Sequence, residues 1–230
     1  AYTAAKGAVS VNVFGPGSAE FESPDAGRIA IEQETAYPYD GDVLIRIRTE
    51  RAARFALKIR IPSWAEGASL RIDGRMLDAP VEPGRYAVVE REWKTGDEIA
   101  AHFPMRPRTH RAANRNIQES RAPDGSPVRK EVLHFDYLAI TRGPLAFATG
   151  LIDGFKIEET LRLPPEAESD WLREAPPGAD GVPRIELRPG YRPPLVFMPY
   201  FSAGGRNDGA WRLTWMPLAP GEAAPTALNQ

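Results

Sequence analysis

The sequence has no cysteine at all among its 230 residues. That excludes disulfides, thiolate metal sites and a cysteine nucleophile from this chain, without fixing a compartment. Histidine is nearly absent too, with only His102, His110 and His134. Their scatter has none of the spacing of a zinc site, which needs ligands converging at about 2.0–2.1 Å on the metal. The formal net charge is only −2, so there is no electrostatic footprint for nucleic acid or an acidic membrane. No apolar run approaches the ~20 residues of a spanning helix. The chain begins AYTAAKGAVSVNVF, without an initiator Met and without the charged-then-apolar layout of a secretory signal. We expect it to be an internal cut from a longer protein.

Proline and glycine, by contrast, are plentiful: 23 and 20 residues. They cluster between short runs with period-two alternation, which favours a loop-rich all-β architecture. The clearest runs lie between Arg54 and Pro104. Phe55, Leu57, Ile59 and Ile61 fall on one face of an extended segment, while Lys58 and Arg60 fall on the other. Leu70 and Ile72 repeat the pattern before Asp73-Gly74, as do Ile99, Ala101 and Phe103 after Gly96-Asp97. Upstream, Val9, Val11 and Val13, then Ile29, Ile31 and Gln33, then Val43, Ile45 and Ile47 alternate in the same way. The turn Tyr37-Pro38-Tyr39-Asp40-Gly41 has a proline to preset φ and a glycine expected at positive φ. About eight strands suffice for a two-sheet sandwich of the jelly-roll kind over residues 1–105.

Pro104 and Pro107 mark a seam. The following THRAANRNIQESRAPDGSPVRK has little periodicity and many turn formers, and the expectation there is a long loop or partial disorder. EVLHFDYLAI, LAFATG, LVFMPYF and AWRLTW are further strands, and RIELR is one more inside an otherwise irregular Leu161–Pro194. Residues 106–230 are thus expected to form a second, looser β-sandwich with long irregular connections. The fold class is all-β: two tandem antiparallel sandwiches.

Several phrases resemble the C-terminal β-sandwich region of bacterial glycoside hydrolase family 127, the β-L-arabinofuranosidase-like proteins. They are TAYPYDGDV at Thr35–Val43, LKIRIPSWAEGA at Leu57–Ala68, GRYAVVEREWKTGDEI leading to Phe103-Pro104-Met105, ITRGPLAF at Ile140–Phe147 and, less closely, FMPYFSAGGRNDGAWRLTW. In that family an α/α barrel carries catalysis, with a zinc-held cysteine thiolate as nucleophile and a glutamate as acid/base. The resemblance implies that this barrel lies upstream of Ala1, and that zinc belongs to it and not to the present chain. It also implies a first sandwich packed on the barrel and a second that contributes to a homodimer. No catalytic residue and no metal ligand is carried over. The expected role is a non-catalytic scaffold. A free-standing carbohydrate-binding module is the rival reading, and a self-sufficient enzyme is a third.

Within the chain, acidic pairs such as Glu90/Glu92 or Asp170/Glu174 do not differ from solvated surface charge, although a glycosidase needs two carboxylates about 5–9.5 Å apart. The aromatic residues are better candidates, since sugar rings present apolar C–H faces to exposed Trp or Tyr. Tyr37, Tyr39, Trp64, Trp93, Tyr200, Phe201, Trp211 and Trp215 lie in or near turns and strand ends. Tyr37, Tyr39, Trp64, Trp93, Tyr200 and Trp211, with Arg206 on the glycine-rich segment Gly204-Gly205-Arg206-Asn207, are the candidate glycan contacts. Against this stands the core-capping role that large aromatics ordinarily play. Arg142-Gly143-Pro144 is expected to be structural, with Gly143 in a conformation closed to residues bearing Cβ and Arg142 bridging to a carboxylate across the seam.

Overall fold

The structure, a computed structural model, describes residues 1–5, 7–150, 160–204 and 212–219, without the side chains of 116, 117 and 130–134. The chain divides into two compact units, Ala1–Arg106 and Pro107–Gln230.

The first unit is built from ten strands: β1 (Tyr2–Ala5), β2 (Ala8–Val11), β3 (Gly17–Ser23), β4 (Gly27–Thr35), β5 (Asp42–Thr49), β6 (Ala53–Arg60), β7 (Ser69–Ile72), β8 (Arg75–Met76), β9 (Tyr86–Trp93) and β10 (Glu98–His102). They form a four-stranded sheet in the order β1-β2-β6-β9 and a six-stranded sheet in the order β3-β4-β5-β10-β7-β8. All these pairings are antiparallel except β2 with β6, which run parallel. The alternation in the sequence maps directly onto burial. Ile29, Ile31, Val43, Ile45 and Ile47 of one sheet meet Val9, Val11, Phe55, Leu57, Ile59 and Val89 of the other in one core. Each such side chain stabilises the fold by about 1.5–3 kcal/mol relative to exposure.

The outward faces carry the charge. On the six-stranded sheet Arg48 pairs with Glu32 at 2.7 Å, and Arg46 bridges Glu34 and Glu98 across neighbouring strands. Pairs this exposed contribute little individually. They account for the Arg and Glu residues that alternate with the core isoleucines.

The β7–β8 hairpin turns on Asp73 (φ 47) and Gly74 (φ 80), with Ile72 opposite Arg75. Two positive φ values in a two-residue loop match the twist of the flanking strands, and Asp-Gly is a favoured pair for them. The Asp73 carboxylate accepts the backbone N–H of Glu98 (3.1 Å) and the Arg91 guanidinium (2.9 Å). The Glu98 amide first and Arg91 second hold its pKa below the ordinary aspartate range. A depressed folded pKa adds stability above the unfolded value near 4, and that stability is lost as pH falls through the folded value. Asn tolerates the same backbone and keeps an acceptor oxygen but has no charge to titrate. Urea denaturation from pH 7 to 3 is therefore expected to show a shallower acid loss for Asp73→Asn than for the parent chain. Parallel curves would contradict this assignment.

The second unit contains β11 (Pro107–Arg121), β12 (Pro127–Arg142), β13 (Leu145–Gly150), the one-turn helix α1 (Glu168–Trp171), β14 (Leu172–Ala175), β15 (Arg184–Leu187), β16 (Leu195–Pro199), a 3-10 turn at Tyr200–Ser202, β17 (Arg212–Leu213) and β18 (Met216–Leu218). Hydrogen bonds link the strands in the order β11-β12-β13-β16-β15-β14, with β17 on β13 and β18 on β12. Leu138, Ile140, Phe147, Ile185, Phe197 and Met216 are fully or almost fully buried here.

One expectation is overturned. The segment 109–130 is no loop: β11 (Pro107–Arg121) pairs with β12 (Pro127–Arg142) as a long antiparallel hairpin with one register shift at Asn116/Ile117, closed by a turn at 122–126. Among the described residues its outer half has no buried face, for Ala113, Asn114, Arg115, Gln118, Glu119 and Ser120 are all exposed. Without a buried side there is no pressure for alternation, and the periodicity that signals a strand is absent. Two further elements, α1 and β14, lie inside the stretch expected to be irregular. Among the described residues no helix is long and apolar enough to cross a membrane.

Candidate binding groove

The aromatic residues singled out in the sequence fall into distinct environments. Trp93 is fully buried. Its Nε1–H donates to the Phe55 carbonyl across β6–β9 at 3.1 Å, and the Arg91 guanidinium lies 5.0 Å over its ring. With no face open to solvent it cannot stack on a sugar, so its place among the glycan contacts is corrected to the core. The reason is simple: Trp93 shares the inward parity of Ala87 and Val89, and β9 stays regular to its last residue.

Tyr37 and Trp64 are half-buried in a cluster at one end of the first unit. Phe14 packs on Phe103 (centroids 4.7 Å apart) and on Tyr37 (5.7 Å), and Trp64 meets Phe103 edge-on at 6.3 Å. Burial pushes the Tyr37 phenol up from its usual pKa, against the opposing charge of Arg60. The turn that delivers Tyr37 is fixed by hydrogen bonds from the Tyr37 N–H to Thr35 Oγ1 (2.9 Å) and from the Tyr39 N–H to the Ala36 carbonyl (2.9 Å). Tyr39 is half-buried beside it. The expected positive φ at Gly41 is corrected as well, for Gly41 lies outside the left-handed region. Glycine is needed there because a Cβ would collide with the carbonyl oxygen of Phe103, whose N–H donates to the Gly41 carbonyl at 2.9 Å.

The histidines do not converge. His102 contacts Asp42 (Nδ1 to Oδ1, 2.6 Å) on the outer face of the six-stranded sheet, and His110 contacts Thr141 (Nε2 to Oγ1, 2.8 Å) in the second unit. The side chain of His134 lies outside the described residues. Among the described residues no three His, Asp or Glu side chains gather as metal ligands. Glu90 pairs with Arg54 at 3.2 Å on an exposed face. Arg142, 13% exposed, meets Glu174 of β14 at 2.9 Å, a carboxylate of its own unit. Gly143 follows at φ 56, as the tight turn requires.

What remains is a groove of about 960 Å³ in the second unit. β13 pairs with β12 only at 140–142, after which β12 pairs with β18 and β13 with β17. Thr214 and Trp215, which connect β17 to β18, therefore stand where the two strands part. His110, Thr141 and the small Ala112, Ala139 and Ala146 line the depression, with Tyr200 and Trp215 at its sides. Tyr200 is 63% exposed and Trp215 44%. Thr109, also at the groove, is tied through its N–H and hydroxyl to Glu168. Of the sequence candidates among the described residues, Tyr200 and Trp215 belong to this groove. Arg206 and Trp211 lie outside the described residues. Trp215 carries a sequence signal as an aromatic at a strand end, whereas His110 and Thr141 gain their place only through the β11–β12 pairing.

Residues 8–105 match the family model described as the β-L-arabinofuranosidase, GH127 middle domain. This region is GH127-like. The match is to a middle domain and ends at the boundary of the first unit, so it does not carry the C-terminal placement. Among solved structures, a GH127 β-L-arabinofuranosidase from Geobacillus stearothermophilus T6 is 24% identical, with a TM-score of 0.66 over 95% of this chain and 35% of its own. A protein described as a glycoside hydrolase is 23% identical, with a TM-score of 0.64 over 95% of this chain and 37% of its own. A second GH127 β-arabinofuranosidase is 19% identical, with a TM-score of 0.64 over 97% and 37%. At these identities the likeness shows a shared fold across both units. The chain spans little more than a third of the length of each of these structures. No curated protein matches the sequence.

Proposed function

We propose that this chain is the non-catalytic β-portion of a larger glycoside hydrolase of the GH127 type, acting on L-arabinofuranosides or related plant glycans. One observation carries the reading: nearly the whole chain superposes on about a third of a GH127 β-L-arabinofuranosidase. The remaining two thirds leave room for a catalytic domain elsewhere in the polypeptide. A sequence without cysteine supports the same division of labour, because the nucleophile that the resemblance implies has no counterpart here. In this reading the first unit buttresses the catalytic barrel and the second contributes to self-association, while zinc resides with the barrel.

The length of the natural polypeptide tests the proposal. An antibody raised against this chain is expected to detect a species roughly three times its 25.3 kDa. That species should copurify with arabinofuranoside-hydrolysing activity. A natural product of the chain's own size, with no larger form, would contradict it.

A further inference from the structure

We infer that the groove between β11–β13 and the Thr214-Trp215 link binds a glycan chain, with Trp215 and Tyr200 as stacking faces. The inference rests on the proposed function only for the class of ligand. Ligand sites of this size are typically apolar hollows with a few placed polar groups, and this one fits that description. Large aromatic side chains left this open to solvent, lining a groove together with small alanines, are what the C–H faces of sugar rings pack against. The hydroxyls of such a ring need donors and acceptors, and the groove offers them. The Thr141 hydroxyl, in contact with His110 at 2.8 Å, has further hydrogen-bonding capacity, as does Thr214.

Among the described lining residues there is no carboxylate and Arg111 is the one formal charge, the nearby Glu168 carboxylate being engaged by Thr109. This favours a neutral glycan over a cationic ligand. It also separates binding from cleavage, because hydrolysis by the usual route needs a carboxylate pair at the bond. The floor is positioned by paired strands: Ala139 lies opposite His110, and Thr141 opposite Ala146. The polar groups and the alanines thus sit on regular backbone and hold their spacing.

The test titrates soluble arabinan into the 230-residue chain, followed by calorimetry and tryptophan fluorescence. Binding is expected, and Trp215→Ala and Tyr200→Ala should each weaken it about tenfold or more. Tyr86→Ala, at an exposed aromatic of the first unit, should leave it unchanged. Near-UV circular dichroism establishes that each variant is folded; if Trp215→Ala is not, the more exposed Tyr200→Ala decides. Absence of binding, or binding indifferent to both groove substitutions, overturns the inference. Assay of sugar release on the same samples keeps the two readings apart. Release would refute the non-catalytic role and leave the groove standing, whereas a chain that neither binds nor cleaves refutes the groove alone.

Discussion

Trp93→Ala is expected to destabilise the first unit by about 3–5 kcal/mol, the cost of emptying a tryptophan-sized site in a packed core. Three losses combine. The ring fills the inner layer beside Phe55, whose centroid is 6.1 Å away. Its Nε1–H satisfies the Phe55 carbonyl. The Arg91 guanidinium rests over its face, and Arg91 also reaches Asp73 at 2.9 Å and Asp97 at 3.5 Å. Removing the ring therefore loosens a charged cluster that pins the β7–β8 turn to β9. Melting should fall by more than about 10 °C in a unit of this size. Trp93→Phe should recover most of the packing and leave only the carbonyl without its donor. Were Trp93 a surface platform, alanine would cost no more than about 0.5 kcal/mol, so the denaturation midpoint separates the alternatives.

Gly41→Ala is the second large effect, expected at about 2–3 kcal/mol through overpacking against backbone. A Cβ at this position runs into the Phe103 carbonyl, and neither partner is a flexible side-chain end. To relieve the collision the chain must break the Phe103 N–H to Gly41 C=O bond. It must also displace Phe103 from its contacts with Phe14 and Trp64. Gly15→Ala is the matched control. Nothing lies within 4 Å of a Cβ there, and its φ is not in the left-handed region, so a change within about 0.5 kcal/mol is expected. Equal urea midpoints for the two variants would contradict this account of Gly41.

These two residues also indicate what a sequence can disclose. The inner strands β4, β5, β6 and β10 are legible because each has one dry and one wet side, and that contrast is written into alternating residue types. The parallel pairing of β2 with β6 is not, since strands more than forty residues apart carry no local mark of which neighbour they choose. The β11–β12 hairpin carries no such mark for the opposite reason: the described side chains of its outer half are all exposed, so nothing constrains their order. The turn at Asp73-Gly74 was legible because its backbone demands particular residues. Gly41 stands out in the sequence as a turn glycine, but the close approach of the Phe103 carbonyl that requires it leaves no local trace.

The candidate site was legible in part. An aromatic at a strand end is a reasonable surface candidate, and Tyr200 proved open. Trp93 has the same local context but ends inside the core, because strand parity and not proximity to a turn decides which way a ring points. The polar lining at His110 and Thr141 depends on the register of a hairpin that the sequence did not announce. It became recognisable only once those strands were paired.

The central claim is that these residues contribute shape and contact surface while bond cleavage happens elsewhere. Release of L-arabinose from an aryl β-L-arabinofuranoside by the purified 230-residue chain measures this most directly. The account predicts no release above the uncatalysed background, with zinc added or chelated. Steady turnover that persists through repeated purification, survives chelation and is lost on neutralising one pair of acidic residues in this chain would contradict it.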